Sequence, residues 1–246
     1  MRLFVRSAGW DRGYYWTEVG QAGTRDAGQV PVENYFDLLR NQDSLAPSLS
    51  LYHSGAGYHV LCLGLATRRN EPARRVITNS LLIEWPEERP ARLFAAAVLA
   101  AAEKGPVFRG GFEQALDRCI DHDATREHYQ VEPAALHRLV EQAIGDAVIL
   151  GEPDPFPDDV FLERLFARNS PARRRELQAA LCRYELPVLP PAAAPRLLLA
   201  VAGLEDAERL CKAGAWVALS ERCAAESWTI FLSAGQHAHA PLWDRC

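Results

Sequence analysis

The chain has 246 residues, of which 48% are hydrophobic, 24% charged and 9% aromatic. That is a folded globular composition, and it excludes disordered and fibrous classes. The net charge of -5, from 27 basic and 32 acidic residues, lacks the basic excess of a protein that coats nucleic acid, so nucleic acid is not an expected partner.

All but Lys104 and Lys212 of the basic residues are arginines. Arginine recognises anions well, but an Arg- and Ala-rich, Lys-poor usage also follows from a GC-rich coding sequence. The six cysteines (Cys62, Cys119, Cys182, Cys211, Cys223, Cys246) include no C-x-x-C pair, which leaves zinc-ribbon and thioredoxin-type sites unsupported. The longest apolar run, between Arg92 and Glu103, is about half the length of a membrane span. The start, Met1-Arg2-Leu3-Phe4-Val5-Arg6, reads as a strand rather than a signal-peptide core. A soluble, cytoplasmic, reduced protein with its cysteines buried is the expectation, with no membrane contact.

Taken in chain order, residues 1–86 read mainly as β. Leu3–Ser7 and the aromatic Tyr14–Val19 are strand-like. A Gly/Gln/Asp stretch, 20–29, separates them from a short predicted helix over 33–40. Ser48–His53 and Tyr58–Ala66 flank Ser54-Gly55-Ala56-Gly57, a hairpin signal. A polar turn over 68–72 leads into Arg75–Trp85, making a three-stranded meander.

Residues 90–184 read mainly as helix. Pro90 suits the first turn of a helix running to about Lys104. Phe112–Asp121 is a second, with Phe112, Ala115, Leu116 and Cys119 at core spacing. Pro133 opens a third, ending at Gly145, and Ala147–Leu150 reads as a short strand. The proline-rich run 151–157 marks a loop. A capping Asp158 or Asp159 then predicts a helix through Phe161, Leu165 and Phe166. Ser170-Pro171 is an N-cap and N1 pair opening a helix to Tyr184.

A second proline connector over 187–195 precedes a β-α-β-β pattern: Leu197–Ala202, Glu205–Ala213 stopped by Gly214, Trp216–Leu219 and Trp228–Leu232. The expected fold class is α+β: an N-terminal antiparallel meander, a helical middle and a C-terminal β-α-β-β unit. The division expected is 1–150, a Pro-flanked helical segment 151–195, and 196–246 packed on the first domain.

Asp121-His122-Asp123 with His128 is the densest cluster of groups suited to a divalent metal or to acid–base work. His122-Asp123 resembles the doublet of HD-type phosphohydrolases. That resemblance implies a further helical histidine upstream, whereas His53 and His59 fall on the predicted hairpin; a solvated loop after a helix fits the same residues. His53 and His59 flank the hairpin turn and could face one another across it. His237 and His239 share a face if extended, with Cys246 as a further soft ligand.

Trp10, Arg12, Tyr14, Tyr15 and Trp16 form an aromatic and basic patch, suited to a protein contact, to an edge strand with one buried face or, against the acidic net charge, to stacking on nucleic-acid bases. Thr78, Asn79 and Ser80 interrupt an apolar strand behind Arg74 and Arg75. Buried polar groups there mean a satisfied network or a pocket lined by Arg75, Thr78 and Asn79. The stretch from Arg75 through Asn79-Ser80-Leu81 is similar to the first strand of some effector proteins of bacterial GTPase-associated conflict systems. The likeness covers that one strand, and it implies an assembly component.

No Walker A, G-x-G-x-x-G, G-x-S-x-G or H-E-x-x-H pattern occurs. The function expected is a non-enzymatic interaction or scaffold subunit of a bacterial assembly. It would bind protein partners, with homo-oligomers as one form, use no cofactor, and present Trp10, Arg12, Tyr14 and Trp16. The alternative is a metal-dependent hydrolase or nuclease using Asp121, His122, Asp123 and His128. Anion recognition through Arg74, Arg75 and Arg173–Arg175 ranks behind both.

Overall fold

The computed structural model describes residues 1–9, 13–28, 30, 48–55, 57–70, 76–101, 111–121, 128–149, 164–186, 196–202 and 207–231. The predicted helix over 33–40, both proline connectors (151–157 and 187–195), and His237, His239 and Cys246 lie outside those residues.

The N-terminal half is antiparallel. Strands β1 (Arg2–Gly9), β2 (Gly13–Gly20) and β3 (Gly23–Asp26) form consecutive hairpins, and β4 (Ser48–Ser54), β5 (Gly57–Asn70) and β6 (Val76–Trp85) form the expected meander. β1 then pairs with β6 and joins the two sets. β3 falls in the stretch that reads as structureless. Its four residues are all exposed, so no buried face imposes an apolar alternation on the sequence.

The helices are α1 (Glu88–Ala101), α2 (Gly111–Arg118), α3 (Pro133–Ile149), α4 (Pro171–Arg183) and α5 (Ala207–Lys212). α4 begins as its sequence dictates: the Ser170 side chain accepts from the Arg173 N–H, and Pro171 occupies the first turn. α2 is shorter than expected and yields to a two-stranded hairpin, β7 (Ile120–Asp121) with β8 (Gln130–Val131). α3 runs through Gly145 and takes up 147–149 of the strand expected at 147–150, Leu150 lying outside the described residues. A glycine costs a helix only about 1 kcal/mol, and the buried Leu136, Val140 and Ala147 anchor the helix on both sides of it.

The remaining strands are β9 (Leu165–Arg168), β10 (Arg196–Ala202), β11 (Val217–Ser220) and β12 (Thr229–Ile230). β10 and β11 are parallel across α5, as a β-α-β unit requires, but β12 skips β11 and pairs with β9. The helix expected through Leu165 and Phe166 is therefore overturned. β9 lies parallel to β11 and is a central strand with Leu165, Phe166 and Ala167 buried. A short apolar run buried on both faces has no period to distinguish strand from helix.

Among the described residues ten strands make one mixed sheet, in the order β12-β9-β11-β10-β4-β5-β6-β1-β2-β3. The class is α+β, as the sequence indicates. β10 is hydrogen-bonded to β4, so strands from both ends of the chain continue one sheet.

One face carries the larger core, where Leu3, Val5, Leu51, Val60 and Leu81 meet Phe94 of α1, Leu116 of α2, Leu136 of α3 and Leu177 of α4. Arg92 of α1 is buried there. It binds Glu88 at 2.6 Å and the Leu181 carbonyl of α4, while the same Glu88 oxygen accepts the Leu186 N–H at 2.8 Å. The opposite face buries Phe4, Trp16, Tyr52, Leu61 and Leu82, together with Leu210 and Cys211 of α5.

Candidate functional site

The described residues of the aromatic patch do not share one exposed surface. Trp16 is 3% exposed in the second core, because alternation along β2 turns it inward with Phe4 and Leu82. Trp10 and Arg12 lie outside the described residues. Tyr14 is 38% exposed, yet it is tied into the sheet. Its hydroxyl accepts the Thr78 backbone N–H at 3.0 Å, and the Arg6 guanidinium lies 4.8 Å from its ring centre. Tyr15 packs on Tyr129 at 4.7 Å in the larger core.

Of the polar interruption in β6, Arg75 and Arg74 are outside the described residues, whereas Thr78, Asn79 and Ser80 are all buried. Both amide atoms of Asn79 lack a hydrogen-bond partner among the described residues, as does the buried Ser7 hydroxyl on β1. The neighbouring irregularity in β5 is better compensated. Where the register shifts after Cys62 and again after Ala66, two buried acids of α2 take the freed N–H groups. Glu113 accepts from Ala66 N–H at 3.2 Å, and Asp117 accepts from Arg68 N–H at 3.4 Å and from its Nε at 2.8 Å.

Asp121 sits exposed on β7 and His128 just before β8, so these two members of the cluster belong to a small hairpin. His122 and Asp123 lie outside the described residues. The His128 ring stands edge-on to Tyr15, with Nδ1 3.4 Å from its hydroxyl. Among the described residues no three His, Cys, Asp or Glu side chains gather as a metal group.

His53 and His59 do not face one another. The register pairs His53 with Tyr58 and Tyr52 with His59, which puts the two imidazoles on opposite faces of the hairpin. The His53 ring packs tilted against Tyr58, with centroids 4.7 Å apart, and burial, followed by the nearby His59 and Arg196, holds its pKa below the ordinary value.

His59 belongs to a different constellation. It is fully buried, with Nε2 2.7 Å from the Ser54 hydroxyl. On its other side Nδ1 lies 3.3 Å from Oε1 of Glu84, its directly paired residue on β6, close enough for an ion pair though short of hydrogen-bond geometry. The other Glu84 oxygen takes Arg2 Nη1 at 2.9 Å. Arg2 Nε reaches Glu18 at 3.3 Å, and Glu18 binds Arg25 at 2.6 Å.

Six polar side chains thus form a line across one face of β4, β5, β6, β1, β2 and β3. Burial alone would raise the Glu18 carboxyl; the hydrogen bonds and charges of Arg25 and Arg2 outweigh it and hold that pKa below the ordinary value. The order hydroxyl, imidazole, carboxylate is a proton-transfer arrangement. Sequence reasoning misses Ser54 and Glu84 as candidates because they are far apart in the chain. The available signal is His59 and Glu84 set singly in the apolar runs 58–66 and 81–85.

A ten-stranded mixed sheet in an α+β chain, crossed by this polar line, is what the fold and the site define together. Set against models of protein families, curated proteins and solved structures, the chain matches none of them. No described helix is long and apolar enough to cross a membrane.

Proposed function

We propose that the protein is an interaction subunit of a larger assembly, and that it takes a partner protein by strand addition on β3. The observation that carries this reading is the state of the sheet's edge. β3 is the terminal strand, pairs only with β2 among the described residues, and exposes all four of its residues.

The hairpin register fixes which groups are available. Gly20 pairs with Gly23 across the turn, and the Ala27 N–H bonds the Trp16 carbonyl at 3.0 Å, so the bonded pairs alternate as Gly20/Gly23, Glu18/Arg25 and Trp16/Ala27. Thr24 falls between bonded pairs and directs its N–H and C=O outward. An extended segment can add there through main-chain bonds. Four residues and a charged Arg25 make the edge too short and too polar for indiscriminate pairing, which favours a specific, weak contact.

The test is a photo-crosslinking residue at exposed Gln21 in the full chain, compared with the same residue at exposed Glu141 of α3. A discrete protein adduct at position 21 that Thr24→Pro abolishes supports the reading. Thr24→Pro removes the outward N–H and no bond to β2, so the fold is retained. Adducts identical at both positions, or untouched by Thr24→Pro, refute it.

A further inference from the structure

The Ser54, His59 and Glu84 contacts go beyond a binding role. Each residue is placed by sheet pairing rather than by a loop: Ser54 ends β4, His59 lies diagonally across on β5, and Glu84 is the residue paired with His59 on β6. Positions on paired strands are held rigidly, which a proton-transfer chain needs. The residue paired with Ser54 is Gly57, which brings no side chain to that register position. Gly55 beside it is exposed, and the Arg2 side chain beyond Glu84 is 55% exposed. The chain of contacts therefore lies at the solvent end of the sheet, although Ser54 itself is 7% exposed and His59 is fully buried.

We propose that Ser54 is an acyl-transfer nucleophile, with His59 as its general base and Glu84 as the positioning carboxylate, acting on carboxylic esters or thioesters. In the tautomer this requires, Nε2 accepts from the serine and Nδ1 carries the proton on the side where Glu84 Oε1 lies 3.3 Å away. Oγ bonds to the acyl carbon as its proton passes to Nε2. The C–O or C–S bond then breaks, and the same proton leaves with the alcohol or thiol. Water, deprotonated by His59, attacks the acyl-serine, releases the carboxylic acid and restores Ser54. The sum is ester plus water to acid plus alcohol, or thioester plus water to acid plus thiol, with no other reactant.

The test uses the full chain and a fluorophosphonate, which bonds to an activated serine with loss of fluoride. Mass mapping should find the adduct on Ser54, and Ser54→Ala should remove it. His59→Gln should slow labelling at least about 100-fold, the range general-base assistance spans, while the far-UV spectrum stays that of the parent. Glu84→Gln should slow it as well, and Glu84→Asp should recover part of the rate, a pattern that a purely structural carboxylate would not give. An unmodified Ser54 in the folded protein, an adduct on other serines instead, or Ser54 labelling as fast in His59→Gln as in the parent overturns the proposal. Should His59→Gln unfold, the mapped site in the parent and the Glu84 pair decide it. A negative result here leaves strand addition at β3 standing, since no part of the crosslinking test involves Ser54.

Discussion

Tyr129 offers the sharpest test of how the sheet is tied to the β7–β8 hairpin. The residue is 5% exposed, and its hydroxyl meets, among others, Thr17 Oγ1 at 2.8 Å, the Val5 carbonyl at 2.8 Å and the Tyr15 carbonyl at 2.9 Å. A phenol has one proton, so the two carbonyls share it while Thr17 donates to the oxygen. Tyr129→Phe keeps the ring against Tyr15 and deletes all three contacts. Two net hydrogen bonds at about 0.5–1.5 kcal/mol each, plus a buried Thr17 hydroxyl left unpaired, amount to a loss of about 2–4 kcal/mol.

Urea unfolding followed by tryptophan fluorescence should show that loss as a lower midpoint with an unchanged slope. At about 2–4 °C per kcal/mol for a chain of this size, the melting temperature should fall by about 5–15 °C. Adding Thr17→Val removes the stranded hydroxyl, so the double variant should be more stable than the two single losses predict, by about 1 kcal/mol. Burial also pushes the Tyr129 phenol above its ordinary value of 10.0. The unfolded chain therefore loses this proton first. The stabilisation is complete below about pH 10 and drains away as pH rises from there toward the folded value, a slope that Tyr129→Phe should lack. A change under about 0.5 kcal/mol, or strict additivity with Thr17→Val, refutes the reasoning.

Gly57 and Gly13 both have positive φ, at 123° and 72°, but a Cβ on Gly57 would sit 2.2 Å from the Trp85 carbonyl oxygen, whereas one on Gly13 meets nothing within 4 Å. Thermal melts should show Gly13→Ala costing about 1 kcal/mol and Gly57→Ala several times more, with loss of the β4–β5 hairpin. Trp16→Ala should cost about 3–5 kcal/mol by denaturant titration, as an emptied core site does, so any assembly it disrupts reports unfolding rather than a lost contact. A stable Trp16→Ala variant would put that side chain on the surface after all.

The elements legible in the sequence are those with local chemistry or a one-sided burial pattern. The Ser170 cap with Pro171 and the glycine-flanked turn between β4 and β5 need no tertiary information. Neither does the Gly214 stop after α5. What stays hidden depends on partners far away in the chain. Leu165–Ala167 reads as strand only once β11 and β12 lie beside it, and β3 buries nothing that would mark its residues. Trp16 looks exposed because Tyr14, Tyr15 and Trp16 are consecutive aromatics, and the side that turns inward is set by the β1 register. The candidate site is illegible for the same reason: Ser54 and Glu84 meet at His59 only through two strand pairings.

That dependence on register explains why one line of charge can persist on a half-buried sheet face. A one-residue slip of β6 against β5 would turn Glu84 to the other face, leave His59 buried without its carboxylate, and strip Arg2 of one of its two acids. A buried imidazole or carboxylate without its partner costs several kcal/mol, far more than a misplaced Leu for Ile, so the polar line penalises the slipped pairings that the apolar residues alone would tolerate. The contacts that align Ser54, His59 and Glu84 are thus the same ones that hold β4, β5 and β6 in register. For that reason the conservative His59→Gln and Glu84→Asp, rather than alanine truncation, separate chemistry from folding.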